Sequence, residues 1–381
     1  MNDMKTLCSH EISSSSSFLH IIPSEILSII LMKDVRNTQN VVHTLILTSK
    51  ETNRSISLAI PYIKVLIVSQ PLLLNLFTGI VHLDIRGNIC LRLFNRKIFR
   101  NLTYLNIHTC AIPELKRSLS PEFNNLTYLM PNLRCLSIYR ALSTYVVIPS
   151  NMVPELRKLY VYRCVVGCLD SFRKLRFLSL TQSYVKEMKL NELKIDTLIL
   201  SQFQVKRGKM VSLNISTLKV LYISLTSYVR IDKLQNLEIL NVLNCSCPMP
   251  RSMRSLKSLS LSYMILEFTN ININSISYPE LVYVKLTNCK DANINSSVVD
   301  VVKLYDCQNI RISSCLMRLK CLIISNILPT RVDLEINNTS YPALEYIKLV
   351  GCVNVKINSS AKVEVSRCSD ILIQSSLKIT L

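Results

Sequence analysis

A nine-residue frame, Leu-x-x-Leu-x-Leu-x-x-Cys/Asn with limited aliphatic substitution, recurs along most of this chain. It reads Leu102-x-x-Leu105-x-Ile107-x-x-Cys110, then Leu156-x-x-Leu159-x-Val161-x-x-Cys164, then Leu237-x-x-Leu240-x-Val242-x-x-Cys245. It continues as Leu281-x-x-Val284-x-Leu286-x-x-Cys289, Val299-x-x-Val302-x-Leu304-x-x-Cys307 and Leu344-x-x-Ile347-x-Leu349-x-x-Cys352. Copies without Cys at the last position start at Ile80, Leu133, Leu175, Ile195, Leu218, Leu256 and Leu319. From Leu156 onward the starts step by 19, 20, 23, 19, 19, 25, 18, 20 and 25 residues. Self-similarity at so short a period specifies a repeat array before any local propensity is weighed.

Within the frame, the second and third aliphatic residues lie two apart, so on a strand they point to one side. The opening aliphatic and the closing Cys then seal the corners beneath the turns. One repeat cannot hide such a face alone, so the repeats must stack and the array grows in one dimension. The usual expectation of two or three separate cores for 381 residues therefore does not apply.

Repeats this short leave little room for a full helix on the far side. After Cys289, Cys307, Cys352 and Cys368, apolar or Ala residues stand three and five positions on: Ala292 and Ile294, Ile310 and Ile312, Val355 and Ile357, Ile371 and Ile373. Alternation of this kind marks a strand, so the far side near the carboxyl end is expected to be extended. The segments Ser277-Tyr278-Pro279-Glu280-Leu281 and Ser340-Tyr341-Pro342-Ala343-Leu344 are near copies 63 residues apart, which points to duplication of a three-repeat block.

The frame resembles that of the leucine-rich-repeat family over roughly residues 61 to 381. The resemblance implies an α/β repeat solenoid: a horseshoe with a parallel sheet on its concave side and a mostly extended or short-helical convex side. Residues flanking the inward aliphatics would face the concave surface. They are Tyr104, Lys158, Tyr160, Tyr162, Phe177, Tyr222, Tyr283, Lys285, Lys303, Tyr305, Tyr346 and Lys348. Tyrosine and phenylalanine give large contact area at low entropic cost, although strand surfaces favour them in any case. Lys285, Lys303 and Lys348 make an acidic protein the natural partner of that face.

Residues 18 to 60 follow a different grammar, after a polar tail at 1–17 expected to be disordered. They contain Ile22-Pro23-x-Glu25-Ile26-Leu27-x-x-Ile30 and Leu45-x-Leu47-Thr48-Ser49-Lys50-x-x-Asn53-Arg54. Pro23 suits a first helical turn, and Ile26, Leu27 and Ile30 then share one helical face. This segment resembles an F-box, the helical motif that docks its protein onto a cullin-type ubiquitin ligase. The resemblance implies that Ile22, Pro23, Ile26, Ile30 and Leu47 contact the small adaptor that bridges to cullin. The segment departs from the family in its longer spacing between motif halves, in Thr52 where Trp is common, and in Ile22 where Leu is common. A plain helical cap over the first repeat would share these features.

Composition bears mainly on what the chain is not. Lys and Arg number 45 against 25 Asp and Glu, a formal charge of +20, which favours acidic partners but is spread along the chain without a block of five basic residues. Five His and five Gly offer no His-Glu-x-x-His and no phosphate-cradling loop, so no enzyme, cofactor or metal site is expected. Of fourteen Cys, seven (Cys110, Cys164, Cys245, Cys289, Cys307, Cys352 and Cys368) stand at the frame's own corner and are expected to be buried as small apolar residues. Met1 to Ser17 carry charges and a serine run in place of a secretory signal, and Ile56 to Ile85 is too interrupted to span a membrane. The chain is therefore expected to be a cytoplasmic or nuclear protein, monomeric outside its complex.

Three functions fit. The first is a substrate receptor, with residues 18–60 on the ligase adaptor and the repeats on a target protein. The second is a leucine-rich-repeat scaffold binding a host factor with no ubiquitin link. The third is a basic nucleic-acid binder.

Overall fold

The computed structural model describes residues 65–68, 79–86, 100–108, 130–139, 145–146, 148, 150–166, 169, 172–185, 193–205, 211–226, 229–232, 234–245, 250, 252–263, 271–314, 316–326, 334–374 and 379–380. The tail at 1–17, the segment at 18–60 with Ile22, Pro23, Ile26, Ile30 and Leu47, and the corner residue Cys110 lie outside the described residues.

Each copy of the frame produces one strand, starting two residues after the opening aliphatic. Leu156 precedes the strand Lys158–Tyr162, Leu281 precedes Tyr283–Thr287, and Leu344 precedes Tyr346–Val350. The second and third aliphatics of each strand point inward and the residues between them point out. Val284 and Leu286 are fully buried together with the opening Leu281 and the closing Cys289. Burying a side chain of this size contributes about 1.5–3 kcal/mol, and every coil repeats the set.

The chain divides into two compact units, Met1–Leu175 with Ser183–Glu187, and Arg176–Gln182 with Met188–Leu381. In the first, the strands Val65–Val68, His82–Arg86, Tyr104–His108, Cys135–Tyr139 and Lys158–Tyr162 pair in parallel as one ladder. In the second, a parallel ladder runs in chain order from Phe177–Thr181 through Thr197–Ser201, Val220–Ser224, Ile239–Leu243 and Ser258–Ser262. It goes on through Tyr283–Thr287, Val301–Tyr305, Cys321–Ser325, Tyr346–Val350, Lys362–Ser366 and Ile379–Thr380. Register holds without a slip, as Leu259, Val284, Val302, Leu322 and Ile347 stand opposite one another in turn. A slip of one residue would turn the aliphatic row out to solvent.

The far side of the coils carries shorter parallel strands. In the second unit Ile271–Asn274, Ala292–Asn295 and Arg311–Ile312 form one set, and Leu334–Asn337, Val353–Asn358 and Ser369–Ile373 another. In the first unit Tyr145–Val146, Val165–Val166 and Tyr184–Val185 form a third. Those after Cys289, Cys307, Cys352 and Cys368 are the segments whose alternation predicted extended chain, with Ala292, Ile294, Val355 and Ile357 buried.

A repeat solenoid with a parallel ladder and an extended far side is thus present. The expectation of an α/β leucine-rich-repeat horseshoe is corrected to a parallel β-solenoid: among the described residues, helix is limited to the 3-10 turn Ser150–Met152 and a single helical residue at Arg100. Coils of 18 to 25 residues spend five on the ladder and up to six on the far side, leaving only tight corners between them.

Those corners explain the closing Cys. The residue before it adopts a left-handed backbone in Arg163, Asn244, Asn288, Asp306, Gly351 and Arg367, with φ between 50° and 59°. Asn, Asp and Gly tolerate that region best. At Gly351 a side chain would also run into Asn326 Oδ1. The turned backbone brings the corner side chain onto the carbonyl two residues back, which at Leu243, Tyr305 and Ser224 also accepts a backbone N–H from the preceding coil. Cys164 Sγ donates to Tyr162 O at 3.2 Å, Cys245 Sγ to Leu243 O at 3.1 Å, and Cys307 Sγ to Tyr305 O at 3.2 Å. Where Thr226 takes the corner, its hydroxyl donates to Ser224 O at 3.1 Å.

Candidate interaction face

Three outward positions per ladder strand build this face in rows. In the second unit the first row runs Ile239, Ser258, Tyr283, Val301, Cys321, Tyr346 and Lys362. The middle row runs Asn241, Ser260, Lys285, Lys303, Ile323, Lys348 and Glu364, and the third Leu243, Ser262, Thr287, Tyr305, Ser325, Val350 and Ser366.

Of the residues the sequence singled out, Tyr283, Lys285, Lys303 and Tyr305 come together in one crossed arrangement. Lys285 Nζ lies 5.6 Å from the Tyr305 ring centre and Lys303 Nζ lies 5.4 Å from that of Tyr283. Each ammonium leans over a ring on the neighbouring strand, a geometry that stabilises a cation and holds it in place. The two lysines are direct cross-strand neighbours, so they also repel.

Tyr346 and Lys348 belong to a second cluster, around Glu364. The Tyr346 hydroxyl donates to Glu364 Oε2 at 2.7 Å, Lys348 Nζ lies 3.4 Å from the same oxygen, and Lys362 Nζ lies 3.1 Å from Oε1. The Tyr346 hydrogen bond, with the lysines behind it, pulls the Glu364 carboxyl down to about 2, and the carboxylate pushes the Tyr346 phenol up to about 12. Lys348 therefore already faces a carboxylate within the protein and is a poorer anion receptor than Lys285 or Lys303. Because the folded carboxyl binds its proton more weakly than the unfolded one, stability contributed by Glu364 is present above about 4.5 and is lost as pH falls toward about 2. Chemical denaturation across that window should show a shallower acid decline in Glu364→Gln than in the parent chain.

Phe177 and Tyr222 stand on other strands of the same ladder, Tyr222 on its exposed middle row. Below the ladder an alternating charge row runs along the edge. Arg176 meets Asp196 at 3.6 Å, and Lys219 and Lys257 flank Glu238 at 3.9 and 3.0 Å. These ion pairs hold acidic and basic groups in register along the edge of the ladder.

In the first unit Tyr104, Lys158, Tyr160 and Tyr162 fall on the ladder face as expected, and the structure adds residues the sequence reading passed over. His108 stacks on Tyr139 with centres 4.5 Å apart, Tyr139 lies 6.0 Å from Tyr162, and Arg163 sits 5.4 Å above the Tyr162 ring. His82 packs 4.0 Å from Tyr104, and its burial pushes the imidazole down against the pull of Asp84. His108 Nε2 faces both Asn106 Nδ2 at 2.8 Å and Asp84 Oδ1 at 3.5 Å. Reading the third, fifth and seventh positions of every frame copy, without first selecting for Tyr and Lys, finds all of them except Arg163, which stands at the eighth.

Among the described residues no three His, Cys, Asp or Glu side chains gather in a metal-holding group, and no helix is long and apolar enough to cross a membrane. Cys289 and Cys307 are adjacent and hydrogen-bonded, which lowers the Cys307 thiol, yet both are fully buried beneath the corners. Neither the known family models nor the curated proteins match this chain.

Proposed function

We propose that this chain is a non-enzymatic, cytoplasmic receptor for another protein, serving a cullin-type ubiquitin ligase. Its ladder face would hold an acidic target, and residues 18–60 would dock the adaptor through Ile22, Pro23, Ile26, Ile30 and Leu47. The observation that carries the binding half is the crossed Tyr283, Lys285, Lys303 and Tyr305 group, where two cations stand over tyrosine rings on the sheet with no carboxylate paired to them among the described residues. Fixed aromatic and cationic groups recognise partners at little entropic cost. The recurring frame and the parallel ladder support it, because stacked repeats present a row of outward side chains from coil to coil. The ligase half rests on the F-box-like residues of the sequence.

A nucleic-acid reading has one observation in its favour, the His108, Tyr139, Tyr162 and Arg163 row, because aromatic rings and arginine stack on bases. A photo-crosslinking residue at Tyr160, at Tyr222 or at Lys356 on the far side separates the readings. Protein adducts, identified by mass spectrometry, are expected from Tyr160 and Tyr222 and not from Lys356. Nuclease-sensitive adducts, or equal labelling from Lys356, would contradict the proposal.

A further inference from the structure

We infer that the second unit carries a trough for an extended acidic segment of a partner protein, with the strand Ser258–Ser262 as its floor. This deepens, and rests on, the reading of the ladder face as protein-binding. In this strand Leu259 and Leu261 are buried, so the outward side chains are Ser258, Ser260 and Ser262. On one side, register places Ile239, Asn241 and Leu243; on the other, Tyr283, Lys285 and Thr287. Neighbouring strands are about 4.8 Å apart, so the two walls stand roughly 10 Å apart over a floor of small hydroxyl side chains. One extended chain fits that width with its side chains directed at both walls.

The walls differ in chemistry. Ile239 and Leu243, with Tyr222 on the preceding strand and Leu225 and Tyr263 at the turns, are between 36% and 50% exposed. Scattered exposed apolar residues are ordinary, but five on three successive coils mark a contact surface. The opposite wall presents Lys285, with Lys303 behind it, each ammonium held over a tyrosine ring. Along the ladder rows beyond Lys303, the first carboxylate is Glu364, three strands on and already bonded to Tyr346, Lys348 and Lys362. Two like charges fixed side by side repel, so an anionic occupant relieves a cost that the free protein carries. Successive side chains of an extended segment point to opposite sides. Alternating aliphatic and acidic residues would therefore satisfy both walls at once. A nucleic acid would pair with the lysines but leave Ile239 and Leu243 uncovered.

The test is fluorescence anisotropy on the full chain, with a labelled heptapeptide of alternating leucine and aspartate as probe. Control peptides carry lysine in place of aspartate or serine in place of leucine. Ser260→Tyr fills the floor with a residue that strands accept, and circular dichroism and thermal melting confirm that it folds. The acidic peptide should bind at least tenfold more tightly than either control, lose at least tenfold in Ser260→Tyr, and give way to the lysine peptide in Lys285→Glu, Lys303→Glu. Unchanged affinity in Ser260→Tyr, with a loss in Tyr346→Ala, would overturn the trough while leaving the ladder as the binding face. An acidic peptide that does not bind at all also overturns the trough, and the crosslinks from Tyr160 and Tyr222 then decide the broader reading on their own.

Discussion

Phe203→Ala is expected to destabilise the second unit by about 3–5 kcal/mol, the largest effect of any single truncation considered for this fold. Among the described residues Phe203 is the largest fully buried side chain, and it occupies a corner where most copies of the frame place Cys, Ser or Thr. Its backbone N–H donates to Thr226 Oγ1 at 3.3 Å, tying its corner to that of the next coil. The strands Thr197–Ser201 and Val220–Ser224 are locked in full register beside it, so the coils cannot close over the lost ring. Cys245→Ala, by contrast, removes only a small side chain from an equivalent corner and should cost about 1 kcal/mol, mostly the thiol's hydrogen bond to Leu243 O. Each coil of a repeat array is held by its neighbours, so the loss should broaden the urea transition as well as shift it. Equal midpoints for the two variants would show that the corner ring is not packed as described.

The ladder was legible in the sequence because its signal is local: Leu281, Val284, Leu286 and Cys289 announce one coil without reference to any other. The strand Lys362–Ser366 was less visible, because its copy opens on Ser360 where the frame has an aliphatic residue, and Ala361 is buried there instead. The corner Cys was read as a small apolar filler. Its thiol is also a donor to the carbonyl two residues back, a role that Thr226 takes with Ser224 O, whereas Ser183 at the same corner donates to Val161 O on the preceding coil. The candidate interaction face was half legible. Lys285 and Lys303 stood out by residue type, but their crossing onto Tyr305 and Tyr283 depends on a pairing register between strands 18 residues apart. No linear motif joins Asp84 to His108, which come together only across adjacent strands. Ser260 carries no signal of its own and gains meaning from the walls beside it.

The largest functional effect is expected at the amino-terminal segment. If residues 18–60 dock the adaptor through an apolar helical face, placing carboxylates at its centre buries unpaired charge in the contact and should abolish binding. The most direct test of the receptor account is capture of purified eukaryotic F-box adaptor and cullin by the full chain. It is run beside a deletion of residues 1–60 and an Ile26→Asp, Ile30→Asp variant shown to keep its unfolding cooperativity. The account predicts capture by the full chain alone, at least a hundredfold above either altered form; equal or absent capture by all three would contradict it and leave a capped repeat scaffold.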